Sequence, residues 1–426
     1  MDIKFYKHQV DTLKATAKHD RVAYYLDMGL GKTFVGAERL YRYWNKYNLV
    51  VCQKSKIDDW VEHLRTYYPD YDVRRWRLDY EEIPDHRTIW VLSYDLTWRR
   101  PYLAKIPNIT LLLDESSYIK NPNSKRSRFI CRSLKPKNVI LLSGTPCGGK
   151  YEELLSQCNL LGWNITKRDF WNRYIKFVEI DTGSFKIPKV VGYKNVDELK
   201  AKMREHGAVF MKTQDVLELP EQRDIIERVK KPNKYNEMFK NDLVTLADGT
   251  ELVGDTTLTK MLYLRQICSQ YNPHKADKLE DILAGCNEPV IIFYNFNEEL
   301  EIIKKITKKL KRHFSQINGT KKDLDAYHRF KDTIVACQYQ AASMGHNLQK
   351  SYRIIYFSLC CSSEMFEQSK KRIHRIGQKN TCCYHYLITK SSIEERIFET
   401  LKQRKNYTDE LFKEEGYPEH IWNRGE

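Results

Sequence analysis

Residues 27–33 read DMGLGKT, and this glycine-rich stretch is the strongest indication of the fold. An apolar run at 22–26 precedes it, and a helical pattern starts at Phe34. Glycines let the backbone bend so that successive N–H groups face a phosphate chain, and the N-terminus of the next helix adds its dipole. A strand, a glycine loop and a helix in this order predict a phosphate-binding loop in a parallel α/β sheet.

This loop contains side chains suited to a nucleotide and its metal. Lys32 is expected to reach the β- and γ-phosphates and Thr33 to hold Mg²⁺, while Gly29 and Gly31 allow close backbone approach. The complete P-loop pattern has glycine where this chain has Leu26. A chance glycine turn is the alternative interpretation, and the strand–loop–helix context argues against it.

A second motif follows the apolar run at 111–113, where Asp114 and Glu115 stand side by side. Asp114 is expected to bind Mg²⁺, directly or through water, and Glu115 to orient or deprotonate the attacking water. Strands often end in acidic residues, so the pair alone says little. Its position downstream of the glycine loop makes it informative.

The chain alternates short apolar runs with helical patterns twice, which is typical of parallel sheets. The first half carries the runs 22–26, 49–52, 89–92, 109–113 and 139–142, and the second half carries 290–294, 314–317, 333–336, 353–357 and 383–388. Residues 151–211 look helical and aromatic. The stretch 220–278 is charged, with a turn signal at Asp248–Gly249 and a helical pattern through Met261, Leu264 and Ile267. Two α/β lobes in tandem, with helical material between them, are therefore predicted.

Composition limits the partners. The chain has 72 Lys and Arg against 56 Asp and Glu, a net charge of +16, which favours a polyanion such as nucleic acid over an anionic membrane. No run of about eighteen apolar residues is present, so no membrane span is expected. The eleven cysteines show no CxxC spacing and are interpreted as reduced thiols of a cytosolic protein.

Further motifs carry a resemblance to a known family. The chain resembles the Swi/Snf-type DNA translocases of superfamily-two helicases over nearly its whole length. The matching stretches are FYKHQ at 5–9, DMGLGKT at 27–33, SYD at 93–95, DESS at 114–117, LSGTP at 142–146, LRQIC at 264–268, QSKKRIHRIGQ at 368–378 and IEERI at 393–397. The family pattern for the arginine string is QxxGRxHRIGQ, so only its glycine is changed, to Lys371.

The resemblance implies a fold, cofactors and site residues. It implies two RecA-like lobes, ATP with Mg²⁺ as cofactors, and Gln9 near the adenine. It also implies that the SGTP motif couples hydrolysis to the grip on DNA. Residues expected in coupling or nucleic-acid contact are Ser93, Tyr94, Ser143, Thr145, Gly345, Asn347, Gln368 and Gln378.

The arginine string also has an interpretation from its own residues. Arg372 and Arg375 are three apart, so on a helix they would share one face. From the second lobe they would reach the γ-phosphate bound by the first and act as arginine fingers. A basic, solvated helix is the alternative. His374 by itself is more often a structural histidine.

The chain departs from the family pattern at three places. Ser116 and Ser117 replace the usual Ala-His or similar pair, which puts contacts from that strand end to the other lobe in doubt. His346 replaces leucine in the loop that resembles the family's GLNL loop, and Met211-Lys212 stands where arginines are usual. None of these removes a phosphate or metal ligand.

Three functions are compatible with these observations. The favoured one is an ATP-dependent translocase on double-stranded DNA, with catalysis by Lys32, Asp114, Glu115, Arg372 and Arg375. The others are a strand-separating DNA or RNA helicase, and an ATP-gated nucleic-acid clamp or recruiting subunit. The expected domains are a first lobe at 1–215 with a helical insert from about 151, a linker and helical protrusion at 216–280, and a second lobe at 281–426.

The expected setting is that of a small motor. No chromatin-reading domain, nuclease motif or zinc site is visible in the sequence. We expect a monomer without membrane contact, in the cytoplasm of a bacterium or in a virus, or in the nucleus if the source is eukaryotic. A protein partner that gives biological specificity stays open.

Overall fold

The computed structural model describes residues 3–76, 82–181, 186–216, 218–246, 249–342 and 348–412. The chain divides into two compact units, residues 1–217 together with 406–426, and residues 218–405. Each unit is built on its own seven-stranded sheet, so the predicted pair of α/β lobes is confirmed. We refer to the units as the first and second lobe.

The first lobe has a fully parallel main sheet with the order β3-β4-β2-β5-β6-β1-β9. Its strands, with a separate hairpin formed by β7 and β8, are β1 (Arg21–Leu26), β2 (Tyr47–Cys52), β3 (Asp72–Arg75), β4 (Thr88–Ser93), β5 (Thr110–Asp114), β6 (Asn138–Leu142), β7 (Ile175–Asp181), β8 (Lys186–Tyr193) and β9 (Ala208–Met211).

The five strands predicted for this lobe are all present, because parallel strands buried on both faces must be apolar throughout. Along β1, Ala23 and Tyr25 pack in one core cluster, and Val22, Tyr24 and Leu26 pack in another on the opposite face. The edge strands β3 and β9 were not predicted. Both are only four residues long, and β3 is largely charged.

The first lobe's helices lie between these strands. They are α1 (Lys7–Ala15), α2 (Lys32–Tyr43), α3 (Ile57–Tyr67), α4 (Tyr94–Thr97), α5 (Lys125–Arg128), α6 (Leu155–Leu160), α7 (Lys167–Tyr174) and α8 (Val196–Glu205). The predicted helical character of 151–211 is wrong in part, because β7 and β8 form an antiparallel hairpin between α7 and α8. Eleven residues of this hairpin are exposed, so the core pattern that marks a strand is missing.

The second lobe's main sheet has the order β10-β18-β17-β13-β16-β14-β15, parallel except for the pair β14 and β15. Its strands, with a separate hairpin of β11 and β12, are β10 (Gln222–Val229), β11 (Leu243–Thr245), β12 (Glu251–Val253), β13 (Val290–Tyr294), β14 (Phe314–Ile317), β15 (Lys322–Asp323), β16 (Ile334–Gln338), β17 (Arg353–Tyr356) and β18 (Cys382–Thr389).

Helices again separate the strands. They are α9 (Asn233–Asn241), α10 (Thr257–Cys268), α11 (Pro273–Ala284), α12 (Asn297–Lys309), α13 (Asp325–Arg329), α14 (Tyr339–Ala342), α15 (Ser363–Lys370) and α16 (Ile393–Phe412). All five strands predicted for this lobe are present.

The charged stretch at 220–278 contains strands as well as helices. The predicted helical pattern through Met261, Leu264 and Ile267 is α10, but residues 222–229 form β10, an edge strand paired with β18. Exposed polar side chains on β10 concealed it. The predicted turn lies between β11 and β12, where Gly249 has φ +85°, and Asp248 itself is outside the described residues.

No helix in the described ranges is long and apolar enough to cross a membrane.

Candidate nucleotide-binding site

The glycine loop leaves the carboxyl end of β1 and leads into α2. Gly29 has φ +90° and Gly31, the residue before α2, has φ +75°. A side-chain carbon at Gly31 would come 2.2 Å from Nε2 of Gln9, so a larger residue would displace the Gln9 amide and strain the positive-φ backbone. The loop therefore has the positive-φ geometry and the helix N-terminus that a phosphate site needs.

Lys32 lies in the first turn of α2 with its ammonium turned back over the loop. Its Nζ donates to the carbonyl oxygens of Leu26 at 3.0 Å and Asp27 at 3.3 Å. A side-chain carbon at Gly144 would come 3.3 Å from this Nζ, so the SGTP turn packs directly against the lysine. Thr33 is the next residue of α2 and is partly exposed.

Gln9 supports the loop from α1. Its Oε1 accepts from the Tyr6 N–H at 2.9 Å, and its Nε2 donates to the Leu30 carbonyl at 3.1 Å. The ring of His8 contacts the same carbonyl through Nε2, at 3.2 Å. The structure brings Gln9 to the phosphate loop, and its predicted contact with adenine stays a prediction.

The two acidic residues follow one another at the carboxyl end of β5. Oδ2 of Asp114 accepts from the indole N–H of Trp60 at 2.8 Å. Burial raises the pKa of Asp114, and the Trp60 hydrogen bond and the nearby Lys32 oppose that rise. Glu115 has φ +57°, outside the usual range for a residue with a side chain, so the chain turns sharply where the acids project.

Trp60 was not predicted as a site residue. It is buried on α3 and its spacing with Val61 and Leu64 is that of an ordinary core residue. Nothing in the sequence distinguishes an indole that only packs from one that also donates to a carboxylate 54 positions away.

Tyr94 and Ser93 build the corner beside the acids. The Tyr94 hydroxyl donates to the backbone carbonyls of Asp114 at 3.0 Å and Glu115 at 3.2 Å, and its ring stacks on Tyr118 at 4.9 Å. Ser93 caps α4 by accepting from the Leu96 N–H. The SYD motif therefore helps to position Asp114 and Glu115, which we call the acidic corner, from inside the first lobe.

The SGTP turn is bonded to the same corner. The Ser143 hydroxyl donates to Oε2 of Glu115 at 3.1 Å and accepts from the Thr145 N–H at the same distance. Thr145 is 4% exposed, and its own hydroxyl has no hydrogen-bond partner among the described residues. Motifs from three strand ends thus meet at one edge of the first sheet.

This donor set fits a magnesium nucleotide. The amino end of α2, the positive-φ glycines and the Lys32 ammonium are suited to phosphate oxygens. Thr33 and Asp114 offer the hydroxyl and carboxylate oxygens that Mg²⁺ takes, usually beside several waters. A cation beside Asp114 would also relieve the cost of its burial. No cluster of three or more His, Cys, Asp or Glu suited to a metal occurs in the described part of the chain.

The arginine string of the second lobe differs from its prediction. Helix α15 ends at Lys370, and residues 371–377 form turns, so the two arginines do not share a helix face as predicted. Arg372 is 2% exposed, whereas Arg375 is partly exposed. Burial lowers the pKa of Arg375, which stays far above neutral pH because a guanidinium does not deprotonate in proteins. Only Arg375 is accessible enough to meet a ligand outside the lobe.

Other residues of this string serve the lobe itself. The Gln378 amide donates to the carbonyls of Gln349 and Ser351, both at 3.0 Å, and its Oε1 accepts from two following N–H groups. His374 Nε2 contacts the Pro220 carbonyl at 2.9 Å. These bonds favour structural roles for Gln378 and His374. Gln368 is buried on α15, while Gly345, His346 and Asn347 lie outside the described residues.

Comparison with known families shows to which family the chain belongs. A family model described as "SNF2-related domain" matches residues 25–272, more than half of the chain, and a model described as "Helicase conserved C-terminal domain" matches residues 274–377. The chain belongs to the SNF2-related family. The resemblance to Swi/Snf-type members of the superfamily-two helicases is confirmed.

Curated relatives match along most of this SNF2-related chain. "Putative ATP-dependent helicase/translocase YwqA" of Bacillus subtilis is 25% identical over 439 residues, which cover 92% of this chain and 46% of that protein. The mouse "SWI/SNF-related matrix-associated actin-dependent regulator of chromatin subfamily A member 1" is 24% identical, covering 88% of this chain and 40% of that protein. This chain therefore spans less than half the length of either relative.

A solved structure also aligns with the SNF2-related chain. The "Sulfolobus solfataricus SWI2/SNF2 ATPase core in complex with dsDNA" is 21% identical, with a TM-score of 0.47, and the match covers 96% of this chain and 92% of that one.

Proposed function

We propose that this SNF2-related chain is the motor of an ATP-dependent translocase on double-stranded DNA, and that it hydrolyses ATP at the carboxyl edge of the first sheet. One observation carries the proposal. The glycine loop, the acidic corner and the SGTP turn, far apart in sequence, meet at that edge, where Ser143 bonds Glu115 and Gly144 packs on Lys32.

Each residue at this edge has a defined task in the proposal. Lys32 and the amino end of α2 would hold the phosphates, and Thr33 and Asp114 would hold Mg²⁺. Glu115, fixed by Ser143, would orient or deprotonate the attacking water. The bound magnesium would neutralise charge that develops on the phosphate oxygens.

Arg375 is the better candidate for an arginine finger. It is partly exposed in the turn after α15, whereas Arg372 is buried. A guanidinium that meets the γ-phosphate only when the lobes close would make hydrolysis depend on nucleic acid, because nucleic acid would favour closure. We assign that role to Arg375 and a supporting role to Arg372.

Duplex DNA is the proposed track for three reasons. The net charge of +16 favours a polyanion, and the arginine string is that of Swi/Snf-type translocases. The B. subtilis relative is itself named a helicase/translocase.

The experiment that tests this function compares ATP turnover without nucleic acid and with duplex DNA, single-stranded DNA or RNA. We expect duplex DNA to stimulate turnover at least tenfold, on the order of 1.4 kcal/mol in the barrier, and clearly more than the other two. Displacement of a third strand from a DNA triplex would then show movement along the duplex. Preference for single strands or RNA would favour a strand-separating helicase, and ATP binding without stimulation would favour the clamp.

Salt dependence provides a second test of the track. Phosphate contacts release counterions, so DNA affinity should fall about 10³-fold or more between 50 and 200 mM salt if six or more phosphates are contacted. Affinity that stays flat over this range would argue against a groove that follows the DNA backbone.

A further inference from the structure

Gln157 lies on α6, behind the acidic corner, and is fully buried. Its Nε2 donates to the Pro146 carbonyl at 2.7 Å. Its Oε1 accepts from the Ser116 hydroxyl at 2.7 Å and from the Tyr25 hydroxyl at 3.0 Å. One amide therefore contacts the SGTP turn, the residue after Glu115 and the strand that leads into the phosphate loop.

Hydrogen bonds connect the acidic corner to the SGTP turn by two routes. On one side, Ser143 joins the Glu115 carboxylate to the SGTP turn. On the other side, Ser116 joins Gln157, which joins Pro146 at the end of that turn. The acidic corner and the SGTP turn are thus tied twice, once through a side chain of the motif and once through α6.

The second tie is made in a dry environment. Ser116 and Gln157 are both fully buried, so each hydrogen bond is stronger there than in water, and losing one partner leaves a polar group unpaired. The tie also acts at a strained point, since Glu115 has φ +57° and Ser116 is the next residue. Holding Ser116 in place therefore holds the turn that projects the Glu115 carboxylate.

This tie depends on a departure from the family pattern. The pattern that the chain resembles has Ala-His or a similar pair where this chain has Ser116 and Ser117, and an alanine side chain has no hydroxyl to donate. In the sequence analysis, the serine at position 116 put contacts from this strand end to the other lobe in doubt. The structure shows that its hydroxyl has a buried partner inside the first lobe.

We propose that Gln157 is a positioning residue that locks the SGTP turn to the acidic corner, so that movement of one is passed to the other. This inference rests on the proposed function, because it makes Gln157 part of the path by which DNA binding stimulates hydrolysis. Gln157 touches no reacting group and acts through Ser116 and Pro146.

The test uses the full chain and removes the bonds with only small changes in side-chain volume. Gln157→Met keeps a side chain of similar length, and Ser116→Ala deletes only the hydroxyl. We expect each to lower the duplex-stimulated kcat about five- to tenfold while KM for ATP stays within about twofold. The double variant should be no slower than Gln157→Met alone, because Ser116 acts through Gln157.

Tyr25→Phe is the matched control, since it deletes the other hydroxyl that donates to the same Oε1. Tyr25 lies within β1, whose backbone is held by pairing with β9. Its loss should lower the melting temperature as Ser116→Ala does, yet leave the duplex-stimulated kcat within about twofold of wild type.

Several outcomes would overturn the inference. Wild-type kcat in Gln157→Met, multiplied losses in the double variant, or an equal kcat loss in Tyr25→Phe would each reduce Gln157 to an ordinary core residue. These results presuppose a wild-type chain that duplex DNA stimulates. A wild-type chain that DNA does not stimulate would instead overturn the proposed function, and the coupling with it.

Discussion

The two lobes share a parallel-sheet architecture but use their motifs differently. In the first lobe, the motifs converge on one edge and bond to one another, from Lys32 and Gly144 to Ser143 and Glu115. In the second lobe, the arginine string turns largely inward, with Gln378 bonded to its own lobe and Arg372 buried. A motif that matches its family in sequence can therefore be a reactive site or a scaffold that presents one side chain.

In the first lobe, the largest loss of ATP turnover is expected from replacing Lys32. Lys32→Ala removes the side-chain cation of the phosphate loop, so we expect ATP turnover to fall about 10³-fold or more with an unchanged melting temperature. Lys54→Ala, at an exposed site with the same change in charge, serves as the control. Wild-type turnover in Lys32→Ala would remove the nucleotide site from this edge.

Glu115→Gln separates binding from chemistry at the same edge. The amide keeps the shape and loses the base, so hydrolysis should slow on the order of 10²–10³-fold while ATP still binds. Single-turnover hydrolysis and nucleotide binding would be measured on one preparation. If affinity collapsed and residual turnover stayed high, Glu115 would be a structural acid.

The two arginines of the second lobe are expected to respond differently to replacement. Arg375→Ala should lower duplex-stimulated turnover about 10³-fold or more with little change in ATP affinity, as expected of a finger. Arg372→Ala empties a buried site and should mainly lower the melting temperature. Measuring ATP turnover and the melting temperature of both variants would separate a loss of catalysis from a loss of stability. Arg375→Ala turnover within about twofold of wild type would contradict the role proposed for Arg375.

Trp60 tests whether packing residues tune the metal ligand. Trp60→Phe keeps an aromatic ring and removes the N–H that donates to Asp114, so the pKa of Asp114 should rise further. The acidic limb of the pH–rate profile should move to higher pH by about one unit or less, with a less than tenfold loss at neutral pH. An unshifted profile would mean that this hydrogen bond does not tune Asp114.

The smallest expected effect concerns stability rather than turnover. Because burial raises the pKa of Asp114 in the folded chain, its stabilisation is complete below the unfolded pKa and is lost as pH rises through the folded pKa. Asp114→Asn should therefore melt a few degrees higher than wild type at neutral pH, roughly 2–4 °C per kcal/mol. The difference should shrink below about pH 4, and a lower melting temperature at neutral pH would contradict it.

The strands predicted from long apolar runs are present in the structure, and so is the strand–loop–helix unit predicted from the glycine motif. Nine of the ten predicted strands are largely buried and pair in parallel, and their requirement for apolar side chains on both faces is legible in the sequence. The tenth, β14, is half-buried and also pairs antiparallel with β15. Strands β3 and β10 escaped because they lie at sheet edges and carry polar side chains, as did the hairpin of β7 and β8 because most of its side chains are exposed. Where burial is weak, the pattern that marks a strand is absent.

The two α/β lobes, the phosphate loop and the acidic pair could be predicted from the sequence, because apolar runs, glycine spacing and carboxylates after a strand are local patterns. Which neighbours complete the site could not, because those neighbours come from distant parts of the chain. Trp60 and Gln157 come from helices α3 and α6, and their hydrogen bonds to Asp114 and Ser116 join positions 54 and 41 residues apart. Only the tertiary structure decided that Arg372 is buried and Arg375 is not, since burial depends on how a turn packs against the whole lobe and not on the spacing of two arginines.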